Sequence, residues 1–318
     1  MEEKLAFFRE NGYVVLHGVL NATEVAEIVA GMAALRAARP SEWQVSEARQ
    51  KGIGAPSIGG DAPQLLERTA VLDALVFHPA VVPFARRVLG LGAALASFTY
   101  VHRLPCDIEP PLADLNEGDE RCLTRQWHRE YGGTIAGAHE NEYFTPALQV
   151  IYYLDDVGPD NHCFSVIPES ADTKRCLPTT EGSLGQRIDD HGSYGQAGST
   201  DNPIGSYLHP EKPSWVDAYG RELARRTGGV DVHAPAGAAV ILNNASFHCV
   251  TERHTTKQRR TVHVRYRQPE PLESSHGLKP PFKSVAEFNA ALPDRVALRP
   301  PPALAGPATT DVAAQGKL

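Results

Sequence analysis

Trp127-His128-Arg129-Glu130 sets an imidazole and a carboxylate two residues apart. In an extended segment alternate side chains project to one face, so His128 and Glu130 can reach the same cation. One imidazole nitrogen, one carboxylate oxygen and one further histidine make the two-histidine, one-carboxylate set that leaves three positions of an octahedral iron open. Open positions of that kind suit a chelating cosubstrate and dioxygen. Spacing alone is a weak signal, because the chain carries 13 histidines and 38 acidic residues, and the same spacing recurs at His209-Pro210-Glu211. That second triplet sits in a polar, proline-rich stretch with no strand beside it. A surface or hydrogen-bonding histidine is the competing reading for His128.

The third ligand has to come from elsewhere. His248 follows the apolar run Ala239-Val-Ile-Leu242 and the short Asn243-Asn244-Ala245-Ser246 segment, which places it near the end of a buried strand. Two histidines compete with it: His254 lies in a charged segment that reads as a turn, and His263 sits in an alternating strand. Eleven residues after His248, Arg259 opens that strand. Arg259, Thr261, His263 and Arg265 share one face of it, and Arg260, Val262, Val264 and Tyr266 share the other. The first face is either exposed or lines a polar cavity. In a cavity, Arg259 can hold the distal carboxylate of a dicarboxylate bidentately and Thr261 can add a hydroxyl. A one-residue slip of the strand would put Arg260 in that place.

The elements that must position these groups follow from pattern. Residues 2–10 read as a helix ending at Asn11-Gly12, where glycine can take a positive φ. Residues 13–16 read as a strand, and Asn21 with Glu24 forms a capping box before a helix that stops ahead of Pro40. The stretch 41–64, with four glycines, reads as loop. Residues 65–89 read as helical with interruptions near Pro79 and Pro83, followed by a strand over 94–103. Runs at 148–154, 164–167, 239–242 and 261–266 are rich in strand formers. Helices first and short strands afterwards predict an antiparallel barrel or sandwich with N-terminal helices against it. The stretch 179–229 is rich in glycine, serine and proline and reads as a lid-like insert.

Composition excludes several classes. The net charge of −7 and the lack of a long basic run argue against nucleic acid as a partner. The start, MEEKLAFFRENG, lacks the features of a secretory signal. The longest apolar candidate, around 71–91, contains Asp73, His78, Arg86 and Arg87, so no membrane span is expected and the reading is cytoplasmic. Five cysteines, Cys106, Cys122, Cys163, Cys176 and Cys249, with no CxxC spacing, fit reduced thiols.

These residues also carry a resemblance. From the opening Phe8-Arg-Glu-Asn-Gly-Tyr-Val-Val-Leu to about Tyr266, the chain resembles the phytanoyl-CoA dioxygenase family of iron(II)/2-oxoglutarate-dependent oxygenases. Trp127-His128-x-Glu130, the strand and turn at 148–156, Asp160-Asn161, Val166-Ile-Pro168-x-Ser170, Asn244 to His248, and Arg259-x-Thr261 follow the family's order. The resemblance implies a mainly β protein with flanking helices and a double-stranded β-helix (jelly-roll, cupin-like) core. It would be a single catalytic domain over 1–268, followed by a proline-rich extension over 269–318. It implies Fe(II) held by His128, Glu130 and His248, with 2-oxoglutarate and O2 as cosubstrates. Arg259 matches the arginine that pairs with the distal carboxylate, and Gln149 and Tyr153 match residues that help line the cosubstrate pocket.

Three departures stand out. Glu130 replaces the usual aspartate, His162 replaces a glycine, and Pro168-Glu169-Ser170-Ala171 replaces Pro-Gly-Ser-His. A halogenating relative would carry a small residue where Glu130 stands. The substrate would be a small organic molecule, with Trp127, Arg129 and Tyr131 beside the first ligands and His162 near the barrel mouth as contacts. The alternatives on the same fold are a degenerate small-molecule-binding protein and an oxygen-independent isomerase.

Overall fold

The computed structural model describes residues 1–43, 57–59, 62–90, 93–105, 115–116, 119–124, 147–170, 229–244, 246–253, 255–267 and 290. Helix α1 (Glu2–Asn11) ends where Gly12 turns to φ 78 and its N–H reaches the Phe8 carbonyl, and strand β1 (Tyr13–Leu16) follows. Helix α2 (Ala22–Ala38) starts with the expected capping box, Asn21 and Glu24 satisfying each other's backbone N–H. A 3-10 turn covers Pro40–Glu42. Then come β2 (Ser57–Gly59), α3 (Ala62–Arg68), α4 (Asp73–Val76) and α5 (Val82–Leu89). The region read as one interrupted helix is thus three; Pro79 lies in the break between α4 and α5, while Pro83 sits in the first turn of α5, where its missing donor costs nothing.

The remaining strands are β3 (Ala94–Arg103), β4 (Leu115–Asn116), β5 (Asp119–Thr124), β6 (Ala147–Tyr153) and β7 (Cys163–Val166). After them come β8 (Val230–Val232), β9 (Ala239–Asn243), β10 (His248–Arg253) and β11 (Arg259–Arg267). They form a six-stranded sheet in the order β1-β9-β6-β11-β3-β2 and a five-stranded sheet in the order β4-β5-β10-β7-β8. Between β5 and β11 the chain passes back and forth from one sheet to the other, and the pairing within both sheets is antiparallel. This is the jelly-roll strand order of a double-stranded β-helix, as expected.

Side-chain alternation divides the larger sheet between two cores. Leu148, Val150, Tyr152, Ala239, Ile241, Val262, Val264 and Tyr266 pack outward against Leu5, Phe8, Ile28, Met32, Leu75 and Phe84 of the helices. Ile151, Tyr153, Val240 and Leu242 turn the other way and meet Phe164, Val166 and Val232 of the smaller sheet. The turn between the sheets depends on Gly237: at φ 84, a Cβ there would lie 2.2 Å from the Leu20 carbonyl oxygen.

Two expectations need correcting. The loop read over 41–64 contains β2 and the start of α3. Just before the segment around His254 that was read as a turn, Thr251 to Arg253 continue β10 and pair with Cys163 of β7 and with Thr124, Leu123 and Cys122 of β5. Strand β5, Asp119–Thr124, was likewise missed. Both are polar strands without the apolar alternation that marks the larger sheet, so neighbouring strands rather than local pattern define them. Apart from residues 229 and 290, the expected insert at 179–229 and extension at 269–318 lie outside the described residues.

Candidate active site

Strand β11 places its first two arginines, Arg259 and Arg260, on opposite faces. Arg260 points outward and is fully engaged: Asp155 Oδ2 accepts from its backbone N–H at 2.6 Å and from Nε at 2.9 Å, and the same carboxylate pairs with Nη2. These hydrogen bonds hold its pKa above the ordinary arginine value. The slip that would have brought Arg260 inward is excluded by the ladder, in which Thr261 opposes Tyr153 and Arg265 opposes Gln149. Arg259 points inward and is 2% exposed, and its guanidinium carbon lies 5.4 Å over the Tyr153 ring. Its Nε and Nη2 have no hydrogen-bond partner among the described residues. Buried guanidinium donors without an acceptor are costly, and a carboxylate in two-pronged contact is the group whose geometry answers them.

Around Arg259 the inner face is a directed chain of hydrogen bonds. Arg265 Nη2 donates to Gln149 Oε1 at 3.2 Å, and Gln149 Nε2 donates to His263 Nδ1 at 3.0 Å. Since Nδ1 of His263 accepts, its proton sits on Nε2 and points at Thr261 Oγ1, 2.9 Å away. The Thr261 hydroxyl therefore receives one hydrogen bond and keeps its own proton to give. Tyr153 donates its hydroxyl to the Val232 carbonyl at 3.0 Å. Burial pushes the Tyr153 phenol up to about 12, opposed in part by the neighbouring Arg259 charge. Gln149 and Tyr153 thus both face inward, but their polar groups are committed to protein partners. Gln149 supports Thr261 through His263, and the Tyr153 ring lies under Arg259.

His248 opens β10 opposite Val166. The ring is 4% exposed and lies 5.7 Å from that of Phe164. Its Nδ1 is 2.8 Å from the Ser246 carbonyl. A carbonyl can only accept, so Nδ1 carries the proton and Nε2 has the lone pair that a cation requires. The backbone at this point is fixed by a residue without an assigned role in the sequence reading. Ser170 Oγ accepts from the Phe247 N–H at 2.7 Å and donates to the Ile167 carbonyl at 2.6 Å, while Ile167 N–H reaches the Phe247 carbonyl at 2.9 Å. Ser170 therefore joins the end of β7 to the start of β10, immediately before His248.

His128, Glu130, Trp127, Arg129 and Tyr131 lie outside the described residues. His162 is described, and the structure gives it a protein partner. It is 1% exposed, with Nε2 3.1 Å from the Leu104 carbonyl. It precedes β7, whereas His248 pairs with the far end of that strand. The imidazole fills the turn that a glycine would leave open, and its expected substrate contact has no support. Among the described residues, one group brings three metal-ligating side chains together: ligand atoms of Cys163, Asp231 and His233 lie within 4.8 Å of one another.

The strand order gives the jelly-roll fold, and similarity to known proteins gives the class, the Fe(II)/2-oxoglutarate oxygenases. Residues 8–262 match the phytanoyl-CoA dioxygenase (PhyH) family, and the chain belongs to it. Three solved structures share the fold. One is SnoK, a non-haem alpha-ketoglutarate-dependent carbocyclase from nogalamycin biosynthesis (17% identity, 85% of each chain, TM-score 0.56). The epimerase SnoN, in complex with Fe3+, alpha-ketoglutarate and nogalamycin RO, is 20% identical over 84% of this chain and 83% of its own, with TM-score 0.52. AviO1 from Streptomyces viridochromogenes Tue57 is 13% identical over 86% of this chain and 97% of its own, with TM-score 0.54. No curated protein matches the chain. Among the described residues, no helix is long and apolar enough to cross a membrane.

Proposed function

We propose that this chain is a non-haem iron oxygenase that couples oxidative decarboxylation of 2-oxoglutarate to hydroxylation, or a related C–H oxidation, of a small organic molecule. The observation that carries the reading is Arg259, buried over Tyr153 with two guanidinium donors, Nε and Nη2, that no group among the described residues satisfies. The distal carboxylate of 2-oxoglutarate supplies the missing acceptors, and the Thr261 hydroxyl proton adds a donor from the same face.

Fe(II), O2 and 2-oxoglutarate together supply the oxidant: the keto acid loses carbon dioxide to become succinate, one oxygen atom enters succinate and the other enters the substrate C–H bond. The residues bind and orient. His248 offers Nε2 because Ser246 fixes its tautomer. His128 and Glu130 are its proposed partners. Strand β5 pairs Thr124 with Thr251 and runs antiparallel to β10, so its exit heads towards the His248 end. His128 follows Thr124 by four positions, a reach of up to about 14 Å. A carboxylate at position 130 retains the charge that a ferrous site needs and occupies the place that halide would take in a halogenating relative. The apolar groups Ile151, Phe164, Val166 and Leu242 keep water from the inner cavity. The place of SnoK and SnoN in nogalamycin biosynthesis supports a small biosynthetic molecule, a secondary metabolite, as substrate.

The test is Fe(II)-dependent conversion of 2-oxoglutarate to succinate across a panel of small-molecule substrates. Arg259→Ala should raise the 2-oxoglutarate requirement on the order of a hundredfold, the loss of a two-pronged charge-assisted contact, while Fe(II) affinity stays near wild type. An unchanged requirement would remove Arg259 from this role. Absence of succinate together with absence of the anaerobic iron/2-oxoglutarate charge-transfer band would end the oxygenase reading.

A further inference from the structure

The smaller sheet carries a second group of ligating side chains, on the face opposite His248. His248 opposes Val166 and packs near Phe164, so these three share one face of β7 and β10. Cys163 and Ser165 alternate to the other face, where Ser165 opposes Asp231 of β8. Two residues beyond Asp231, His233 falls on the same side. Three different ligand types therefore converge: Cys163 is fully buried, Asp231 is half-buried and His233 is exposed, with their ligand atoms mutually within 4.8 Å.

We propose that Cys163, Asp231 and His233 form a second metal site, distinct from the iron centre, for a thiophilic divalent cation of the zinc type. Zinc bonds of about 2.0 to 2.3 Å in tetrahedral array hold ligand atoms about 3.3 to 3.7 Å apart, so the three groups need close by only about 1 Å. A thiolate, an imidazole and a carboxylate suit zinc better than the harder cations, and a fourth position remains for water. The surroundings already orient the ligands. Ser165 Oγ donates to Asp231 Oδ1 at 2.6 Å, and Cys163 Sγ lies 3.6 Å from the same hydroxyl. Reciprocal backbone hydrogen bonds between Val157 and Ala234 at 2.9 and 3.1 Å fix the chain next to His233. Binding forms a sulfur–cation bond and releases the Cys163 thiol proton to solvent, with His233 neutral.

Such a site would have a structural consequence for the oxygenase cavity. Strand β8 is the terminal strand of its sheet. Val232, between Asp231 and His233, receives the Tyr153 hydroxyl at 3.0 Å, and Tyr153 is the platform for Arg259. A cation clips β8 to β7 from behind and steadies that platform.

Anaerobic titration of the metal-free full chain with Co(II) tests the proposal, reading the thiolate-to-cobalt charge-transfer band and the equivalents bound. The wild type should show the band. His248→Ala should retain it, which separates this site from the proposed iron centre whatever the fate of the oxygenase reading. Cys163→Ser should abolish it, and His233→Ala, a change at an exposed residue that spares the core, should weaken the cobalt affinity reported by the band at least tenfold. No band in the folded wild type, or a band that is unchanged in His233→Ala or survives in Cys163→Ser, would overturn the proposal.

Discussion

The two faces of the six-stranded sheet are made from the same strands and finished differently. Outward, Val262, Val264 and Tyr266 pack on helices, and the polar groups that the sheet itself sends there are answered by the protein. Arg260 has Asp155, the Tyr266 hydroxyl reaches the Val76 carbonyl at 2.5 Å, and the Tyr152 hydroxyl reaches Leu75 at 3.2 Å. Inward, Gln149, Thr261, His263 and Arg265 are linked in one chain of hydrogen bonds, but Arg259 is left with buried donors and no acceptor. A satisfied buried charge is part of a scaffold; an unsatisfied one anticipates a ligand.

The adjacent arginines give the largest expected contrast. At a 2-oxoglutarate concentration one hundred times its dissociation constant, ligand should stabilise the Fe(II)-loaded wild type by about 2.7 kcal/mol, and Arg259→Ala should lose nearly all of that gain. Arg260→Ala should keep the gain but lose about 2 kcal/mol of intrinsic stability, since charge-assisted hydrogen bonds to Asp155 go with it. Denaturant melts with and without ligand separate the two effects, and equal behaviour of the two variants would break the comparison.

Neighbouring tyrosines sharpen it on a smaller scale. Tyr152→Phe should cost about 1 kcal/mol through the lost bond to Leu75, with no change in the 2-oxoglutarate requirement. Tyr153→Phe should cost a similar amount by leaving the Val232 carbonyl unpaired, and should also weaken 2-oxoglutarate because the ring under Arg259 loses its anchor. If the Tyr152 change were the one to alter cosubstrate affinity, the inward and outward assignments would be reversed.

The smallest effect is that of acid on the outer face. Burial lowers the pKa of His78 and of His102 from the usual 6.5. His78 Nδ1 accepts from the Ala80 N–H at 3.2 Å, and His102 is held between Arg36 at 3.4 Å and Gln258 at 2.9 Å, so both rings fold neutral. The unfolded chain takes up these protons first. Stability is therefore fully present above about 6.5 and falls as pH drops through the lower folded-state values. Urea midpoints measured from pH 7.5 to 5 should decline, and His102→Gln should flatten part of the decline.

Legibility in the sequence followed the chemistry of each region. Gly12, Asn21 and Glu24 announced their turn and cap, because such signals are local. The alternating runs of β6, β9 and β11 were visible because one or both faces are apolar. Strands β5 and β10 were not, since DERCLT and HCVTER have no clear alternation and become strands by pairing with neighbours. His162 shows a related limit: nothing in the sequence announces that its Nε2 lies against the Leu104 carbonyl, a contact that only the fold makes. The cluster at Cys163, Asp231 and His233 escaped a search for a histidine preceding a carboxylate, because here Asp231-Val232-His233 reverses that order and the thiol comes from another strand.

By itself the sequence determined the order of motifs, the family they resemble, and the alternation that separates Arg259 from Arg260. It could not say which of the two faces the barrel. Only the tertiary structure decided that, by pairing β11 between β3 and β6 and packing helices against Val262 and Val264. The physical reason is that alternation fixes which residues travel together, whereas inside and outside are set by what the other elements bury.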